Sequence, residues 1–245
     1  MREARKRTLR TAAILLLLTA ILVFYRFGAP LWVPIYYKVM GKRTVADVLG
    51  QYGPSARSRL APHFAKAAVA FPPRQLAFLA FKDVKVLHVY ADQSGRWVHI
   101  RDYAIVGASG GPGPKLREGD LQVPEGTYRL EGINPNSAFH LSLKVSYPNE
   151  FDRAMASKDG RENLGGDIFI HGSSASVGCL AMGDEAIEEL FVLVEDTGID
   201  NVKVLIAPTD FRVHPVAKTQ SGPSWQSELY AELNTELGAY PVVAQ

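Results

Sequence analysis

His171 and Cys179 stand eight residues apart in DIFIHGSSASVGCLAM (167–182), and they are the pair best able to do covalent chemistry together. A thiol with an unperturbed pKa of about 8.5 is mostly protonated at neutral pH, and a neighbouring imidazole can supply the thiolate. Gly172, Ser173, Ser174, Ala175, Ser176 and Gly178 between them are small, which lets a substrate carbonyl approach the backbone N–H groups near Gly178 and Cys179. Amides in that position stabilise the oxyanion of a tetrahedral intermediate. Residue types alone leave a second reading open. Cysteine is among the most buried residue types, and a His-Gly pair is often only a strand ending in a turn. No second Cys or His flanks Cys179 at ligand spacing, so neither a metal nor another cofactor is expected. His140 is the nearest further histidine in sequence, while His88 and His99 fall in strand patterns and read as structural or exposed.

The elements that must position this pair are mostly strands. VKVLHVYADQSGRWVHIRDYAIVG alternates in period two about a DQSG turn, the pattern of a hairpin. A Gly/Pro loop follows over 107–119, and further strands are expected at 127–130, 139–146, 168–171 and 202–207. One helix is clear among them: Asp184 as its cap, Ile187, Leu190, Phe191 and Val194 as its stripe, Gly198 as its end. A last helix, in SWQSELYAELNTELG, is expected to pack through Trp225, Leu229, Leu233 and Leu237. Residues 44–82 read as helical, punctuated by Pro54 and Pro72-Pro73, and serve as a stalk or a cover.

Charge is uneven along the chain. There are 27 Lys+Arg against 25 Asp+Glu, but MREARKRTLR alone holds five positives and one negative. The remaining 235 residues carry 22 positives and 24 negatives, and a body with no basic excess argues against nucleic acid as a partner. After Arg10 come fifteen uncharged residues, TAAILLLLTAILVFY, and then Trp32, Tyr36 and Tyr37, which suit a membrane–water interface. No good small-x-small cleavage site follows. The reading is a single-pass signal anchor in a bacterial inner membrane, basic end inside and body in the periplasm; a cleaved signal and a buried N-terminal helix are the alternatives. One cysteine permits no internal disulfide, and an unpaired thiol in an oxidising compartment is a liability unless buried or used.

IHGSSASVGCLAM resembles the active-site signature of the L,D-transpeptidase (YkuD-type) domain, a His-Gly followed by an S-H-G-C element. GPKLREGDLQVPEGTYRLEGINPNSAFHLSLKVSYPNEFDRA followed by GGDIFIHG extends the likeness, in particular to the YafK-like branch, over about 84–208. The resemblance implies Cys179 as nucleophile and His171 as general base, with Ser176 and Gly178 on the S and G of the element, Gly178 lending its amide and Ser176 in support. Gly172 and Ser173, with Tyr147 and Asn149 after a strand that borders the cleft, are the candidate substrate contacts; Asp152, Lys115 and Arg117 are weaker ones. For SYPNEFD a Pro-containing turn with Asx capping is an equal reading. The sequence departs from the family pattern in its short His–Cys gap, in Val177 where the second His belongs, and in Ala181-Met182 after the Cys.

The fold class so implied is mainly β, a mixed β-sandwich with one packed helix, preceded by a transmembrane anchor and a short helical segment and followed by a C-terminal helix. The expected layout is a tail and anchor over 1–37, a helical stalk or cover over 38–83, the catalytic domain over 84–208 and an extension over 209–245. The implied partner is the peptidoglycan stem peptide, cut on the carbonyl of the diaminopimelate L-centre and resolved by a second amine, by a protein lysine or by water. A cysteine hydrolase of wall crosslinks is the alternative within that chemistry, and a non-catalytic wall-binding module the alternative outside it. An activated Cys179 is expected to alkylate well below pH 8, an advantage that His171→Ala removes.

Overall fold

The computed structural model describes residues 2–214 and 222–243, in two compact units that divide after Lys42. The first unit is a pair of helices, α1 (Arg2–Phe27) and α2 (Ala29–Met40). They break at Gly28, where an added Cβ would meet Phe24 O at 2.5 Å, and Pro30 in the first turn of α2 has no N–H to continue the helix. Among the described residues no single helix is long and apolar enough to cross a membrane; Leu9–Tyr25 and Ala29–Met40 meet the length and composition together, bent by 74°. The straight span expected from the sequence is thus a broken pair.

The second unit opens with α3 (Val45–Ala67), started by a capping box in which Thr44 and Asp47 satisfy each other's backbone N–H groups. The expected break at Pro54 does not occur. Ala56, Leu60 and Phe64 are buried, and that packing carries the helix through both Pro54 and Pro62. The helical expectation for RQLAFLAFKD fails outright: Leu76–Phe81 is strand β1, buried at every position. A six-residue apolar run fits a buried helix and a central strand equally well. Here β1 pairs antiparallel with β2 (Val86–Gln93) and parallel with β8 (Val202–Ala207).

One mixed sheet of eight strands runs through the unit in the order β3-β2-β1-β8-β4-β5-β6-β7. Its other strands are β3 (Arg96–Ala104), β4 (Gly126–Asn134), β5 (Ser142–Val145), β6 (Phe169–His171) and β7 (Leu180–Ala181). The β2–β3 turn is the expected one, with Ser94 and Gly95 both at positive φ and Gly95 N–H donating to Asp92. β4 bonds β8 through Gly126–Arg129 and β5 through Leu130–Asn134, with a register shift in the β5 pairing between Leu130 and Gly132. That long strand joins what the sequence presents as two layers, so the architecture is one continuous curled sheet and not a sandwich. Helices also hold more residues than strands, so "mainly β" describes the core and not the chain.

α3 and α5 (Asp184–Thr197) cover one face, and Ile187, Leu190, Phe191 and Val194 are all fully buried there. Arg57 holds Asp196 at 2.7 Å, and the buried Glu189 accepts from Arg59, Arg101 and Tyr103. α6 (Gln226–Leu237) covers the other face, with Trp225, Leu229, Leu233 and Leu237 packed on Ala77, Leu79, Phe81 and Leu205. The curl brings the two ends of the sheet together. Gly107, just past edge strand β3, bridges Ala181 on edge strand β7, with Ala181 N–H donating to Gly107 O at 2.8 Å and Val106 N–H to Ala181 O at 2.9 Å. A side chain at Gly107 would strike Ser174 O at 2.2 Å, so the closure needs glycine there.

Candidate active site

That seam is where the reactive pair sits. His171 ends β6, and its register partner on β7 is Ala181. Carrying the parallel register back one pleat places Cys179 beside Phe169. Cys179 immediately precedes β7, whose Leu180 pairs with Ile170, so the thiol stands at the entry to the short ladder that His171 closes.

Cys179 is partly exposed. Its thiol donates to Asp167 O at 3.7 Å. Burial pushes the thiol up from its ordinary value and the Asp167 carboxylate adds to this, outweighing the Phe169 N–H and the positive charge of Lys115. His171 is buried, its ring 4.7 Å from that of Phe139. Its Nδ1 donates to Gly172 O at 2.6 Å, which leaves Nε2 as the free basic nitrogen. Burial lowers the imidazole, against the upward pull of that carbonyl. Both shifts have one sense: each favours the neutral form, a thiol and an imidazole, over a thiolate–imidazolium pair.

The amides expected to hold an oxyanion are occupied. Gly178 N–H donates to Ser109 Oγ at 2.6 Å, and Cys179 N–H donates to Ser176 Oγ at 3.2 Å, while Ser176 Oγ–H returns to Cys179 O at 2.6 Å. Ser176 therefore shapes the turn that carries Cys179. Gly178 has φ +101° and lies against Gln122 O, 3.2 Å from where a Cβ would stand. Ser109 lies in the Gly/Pro loop, sixty-nine residues from its partner, and no local pattern marks it. The loop itself is pinned from inside: Lys82 Nζ donates to Gly113 O, Val123 O and Glu125 Oε1, and the same Glu125 oxygen accepts Gly113 N–H.

Gly172 is enclosed, with Phe139 O and Asp184 Oδ1 2.7 and 2.8 Å from a Cβ placed on it, so its part is to present a carbonyl to His171. Ser173, at φ +59°, donates its N–H to Asp184 Oδ1 at 2.6 Å. Asp184 is therefore the first residue of α5 tying down the turn; the N-cap itself is Gly183. Tyr147 and Asn149 are placed structurally. Tyr147 is buried with its hydroxyl donating to Leu164 O, and Asn149 caps α4 (Glu150–Lys158) in a reciprocal box with Asp152. Asn149 and Thr127 line a separate cavity of about 870 Å³ with Arg129, Arg153 and Lys203, which neither His171 nor Cys179 touches. Gly126 opens β4, as a turn into a strand should. Lys115 is buried on Asp120 at 2.6 Å, and Arg117 is exposed.

The family model of the L,D-transpeptidase catalytic domain (YkuD) matches residues 79–206, about half the chain, and the chain belongs to that family. It is 35% identical over 133 residues to YafK of Escherichia coli (strain K12), assigned by name to the same enzyme family. The match takes 52% of each, so the chain spans about half the length of the curated relatives it matches. Among solved structures, the helical cell shape determining protein Pgp2 of Campylobacter jejuni is similar at 26% identity, TM-score 0.44, over 55% of this chain and 48% of that one. Bd1075 of Bdellovibrio bacteriovorus is similar at 20% identity, TM-score 0.42, over 68% and 53%.

Proposed function

We propose that this chain is a peptidoglycan L,D-transpeptidase working through an acyl-enzyme on Cys179. The observation that carries the reading is the tautomer of His171: with Nδ1–H committed to Gly172 O, Nε2 is the lone-pair nitrogen on the strand beside the thiol. As substrate enters, the thiol leaves Asp167 O and turns to Nε2, which takes its proton while sulfur attacks the diaminopimelate carbonyl carbon. The oxyanion displaces Ser109 Oγ from Gly178 N–H, the only rearrangement that amide needs. When the tetrahedral adduct collapses, the C–N bond breaks and His171 returns the proton to the leaving amine. A second amine attacks the thioester and restores the thiol.

Ser174, Ala175 and Val177 are exposed around the turn, Val177 at 72%, and this open acceptor side favours water as an alternative acceptor, a hydrolase reading. Membrane anchoring belongs to the same proposal: Ile14, Leu15, Leu16, Leu17, Leu18, Ile21 and Leu22 are exposed all round α1, a surface suited to lipid, with the catalytic unit in the periplasm.

The test incubates the full chain in detergent with diaminopimelate-containing tetrapeptide muropeptides and reads both by mass spectrometry. A thioester adduct on Cys179 and a 3→3 linked dimer are expected. Shortened monomers alone move the reading to a hydrolase; unmodified protein with intact muropeptides moves it to a wall-binding module.

A further inference from the structure

Away from the seam, on the β2–β3 hairpin, three side chains converge for which the cysteine chemistry has no use. His88 and His99 both hydrogen-bond one oxygen of Asp102, His88 through Nδ1 and His99 through Nε2, the latter at 2.5 Å. One ligand atom from each lies within 4.8 Å of the other two. His88 and Asp102 are direct cross-strand partners. His99 and Asp102 are three apart, and in a regular strand residues at odd separation face opposite sides. They share a face here because the hairpin is bulged: Val89 pairs Arg101 and Tyr90 pairs His99, with Ile100 left over. A bulge is the standard device for re-aiming a side chain at a site.

We infer that this cluster is a binding site for a divalent transition-metal ion of borderline softness, Zn2+ or its neighbours. Two imidazoles and a carboxylate suit such ions and do not suit Mg2+ or Ca2+, which take oxygen. Zn–N and Zn–O bonds are about 2.0–2.2 Å, so ligand atoms in a tetrahedral site stand about 3.3 Å apart. The cluster reaches that spacing by a small outward swing of Asp102, whose side chain is 44% exposed against 15% and 27% for His88 and His99. The rings are held from behind: His88 packs edge-on to Phe81 at 5.4 Å and His99 to Tyr90 at 5.3 Å. Arg212, which stacks over Phe81 and Tyr90, is neutralised by a two-pronged pair with Asp210 at 2.7 and 2.6 Å. Three protein ligands leave at least one coordination position to solvent or to a ligand, the arrangement of an open site.

The test is calorimetric titration of the full chain in detergent with ZnCl2, in a Cys179→Ser background so that the seam thiol does not compete. One equivalent is expected to bind. His99→Ala and Asp102→Asn should each weaken it by at least the 10–100-fold that losing even an outer-shell partner costs. His63→Ala, a nearby histidine outside the cluster, should leave the affinity unchanged. A readout without hairpin mutations guards against misfolding: Zn2+ should protect His88 and His99, and not His140, from diethylpyrocarbonate modification by peptide mass spectrometry. Absence of saturable one-equivalent binding, binding indifferent to His99→Ala and Asp102→Asn, or unprotected His88 and His99 would overturn the assignment.

Discussion

Histidine is used in two opposite ways at the two ends of this sheet. At the seam, His171 is buried and gives its Nδ1 hydrogen to a neutral backbone carbonyl, and burial lowers the imidazole. On the β2–β3 hairpin, His88 and His99 are partly exposed and face a carboxylate. Burial there works against the Asp102 charge, but the hydrogen bonds from His88 and His99 outweigh it and hold the carboxyl well below its usual range. The seam thus gives its histidine a neutral partner, and the hairpin gives its histidines a negative charge. What an imidazole does is decided by what its second nitrogen holds and how much water reaches it.

Cys179→Ala should break the seam's side of the comparison most completely. No acyl adduct and no product are expected, with an unchanged circular dichroism spectrum, because the thiol packs no part of the core. Turnover by that variant would end the nucleophile assignment. His171→Gln should lower kcat by about 10²–10⁴-fold, the usual worth of a positioned general base. The neutral pair also sets the pH profile. His171 is lowered, so it stays in its basic form down through the ordinary imidazole value of about 6.5; the thiol is raised, so it stays protonated past its ordinary value of about 8.5. The free enzyme should therefore show a broad plateau in kcat/KM between those limits. Iodoacetamide should label the resting thiol with a midpoint above about 8.5, and His171→Gln should leave it in place. Labelling with a midpoint near pH 6 would instead reveal an ion pair and end the neutral-pair reading of the seam.

Ser109→Ala is a subtler probe of the same site. In the proposed mechanism the hydroxyl competes with the substrate oxygen for Gly178 N–H, and a neutral hydrogen bond is worth about 0.5–1.5 kcal/mol net. Removing it should raise kcat/KM by about 2–10-fold. A fall of similar size would mean that the hydroxyl itself serves the oxyanion and that Gly178 does not.

The sequence made some of this legible and hid the rest for physical reasons. Period-two alternation with a Ser-Gly turn exposes the β2–β3 hairpin, and the 3.6 stripe of Ile187, Leu190, Phe191 and Val194 exposes α5, because those signals are local. β1 is hidden from sequence because LAFLAF is apolar at every position and carries no period. β7 is two residues long and exists only by pairing with β6 and Gly107. SYPNEFD reads as a Pro-containing turn with Asx capping, and the helix α4 that Asn149 and Asp152 start lies beyond that local signal. His171 and Cys179 fall within one stretch of sixteen residues, so the pair is legible without knowing the strand that follows Cys179. Ser109 meets Gly178 across sixty-nine residues, and Asp102 meets His88 across a hairpin whose bulge leaves no mark in the pattern.

The smallest effect separates the two regions by stability. Asp102 is held below its ordinary carboxylate value, so its contribution is complete above the unfolded value of about 3.9 and lost as pH falls through the folded one. His171 is also depressed, so the native state resists its protonation, and stability is lost as pH falls from about 6.5 toward the folded value. Both groups destabilise the protein in acid, in different windows. In urea unfolding at stepped pH, the difference between parent and Asp102→Asn should be flat above about pH 4 and shrink below it. Its plateau should be a few tenths to about 1 kcal/mol, the range of a partly exposed pair. The difference between parent and His171→Gln should begin to change near pH 6.5. If both differences moved in the same window, the carboxylate would not be what holds the hairpin histidines, and the contrast between seam and hairpin would fail.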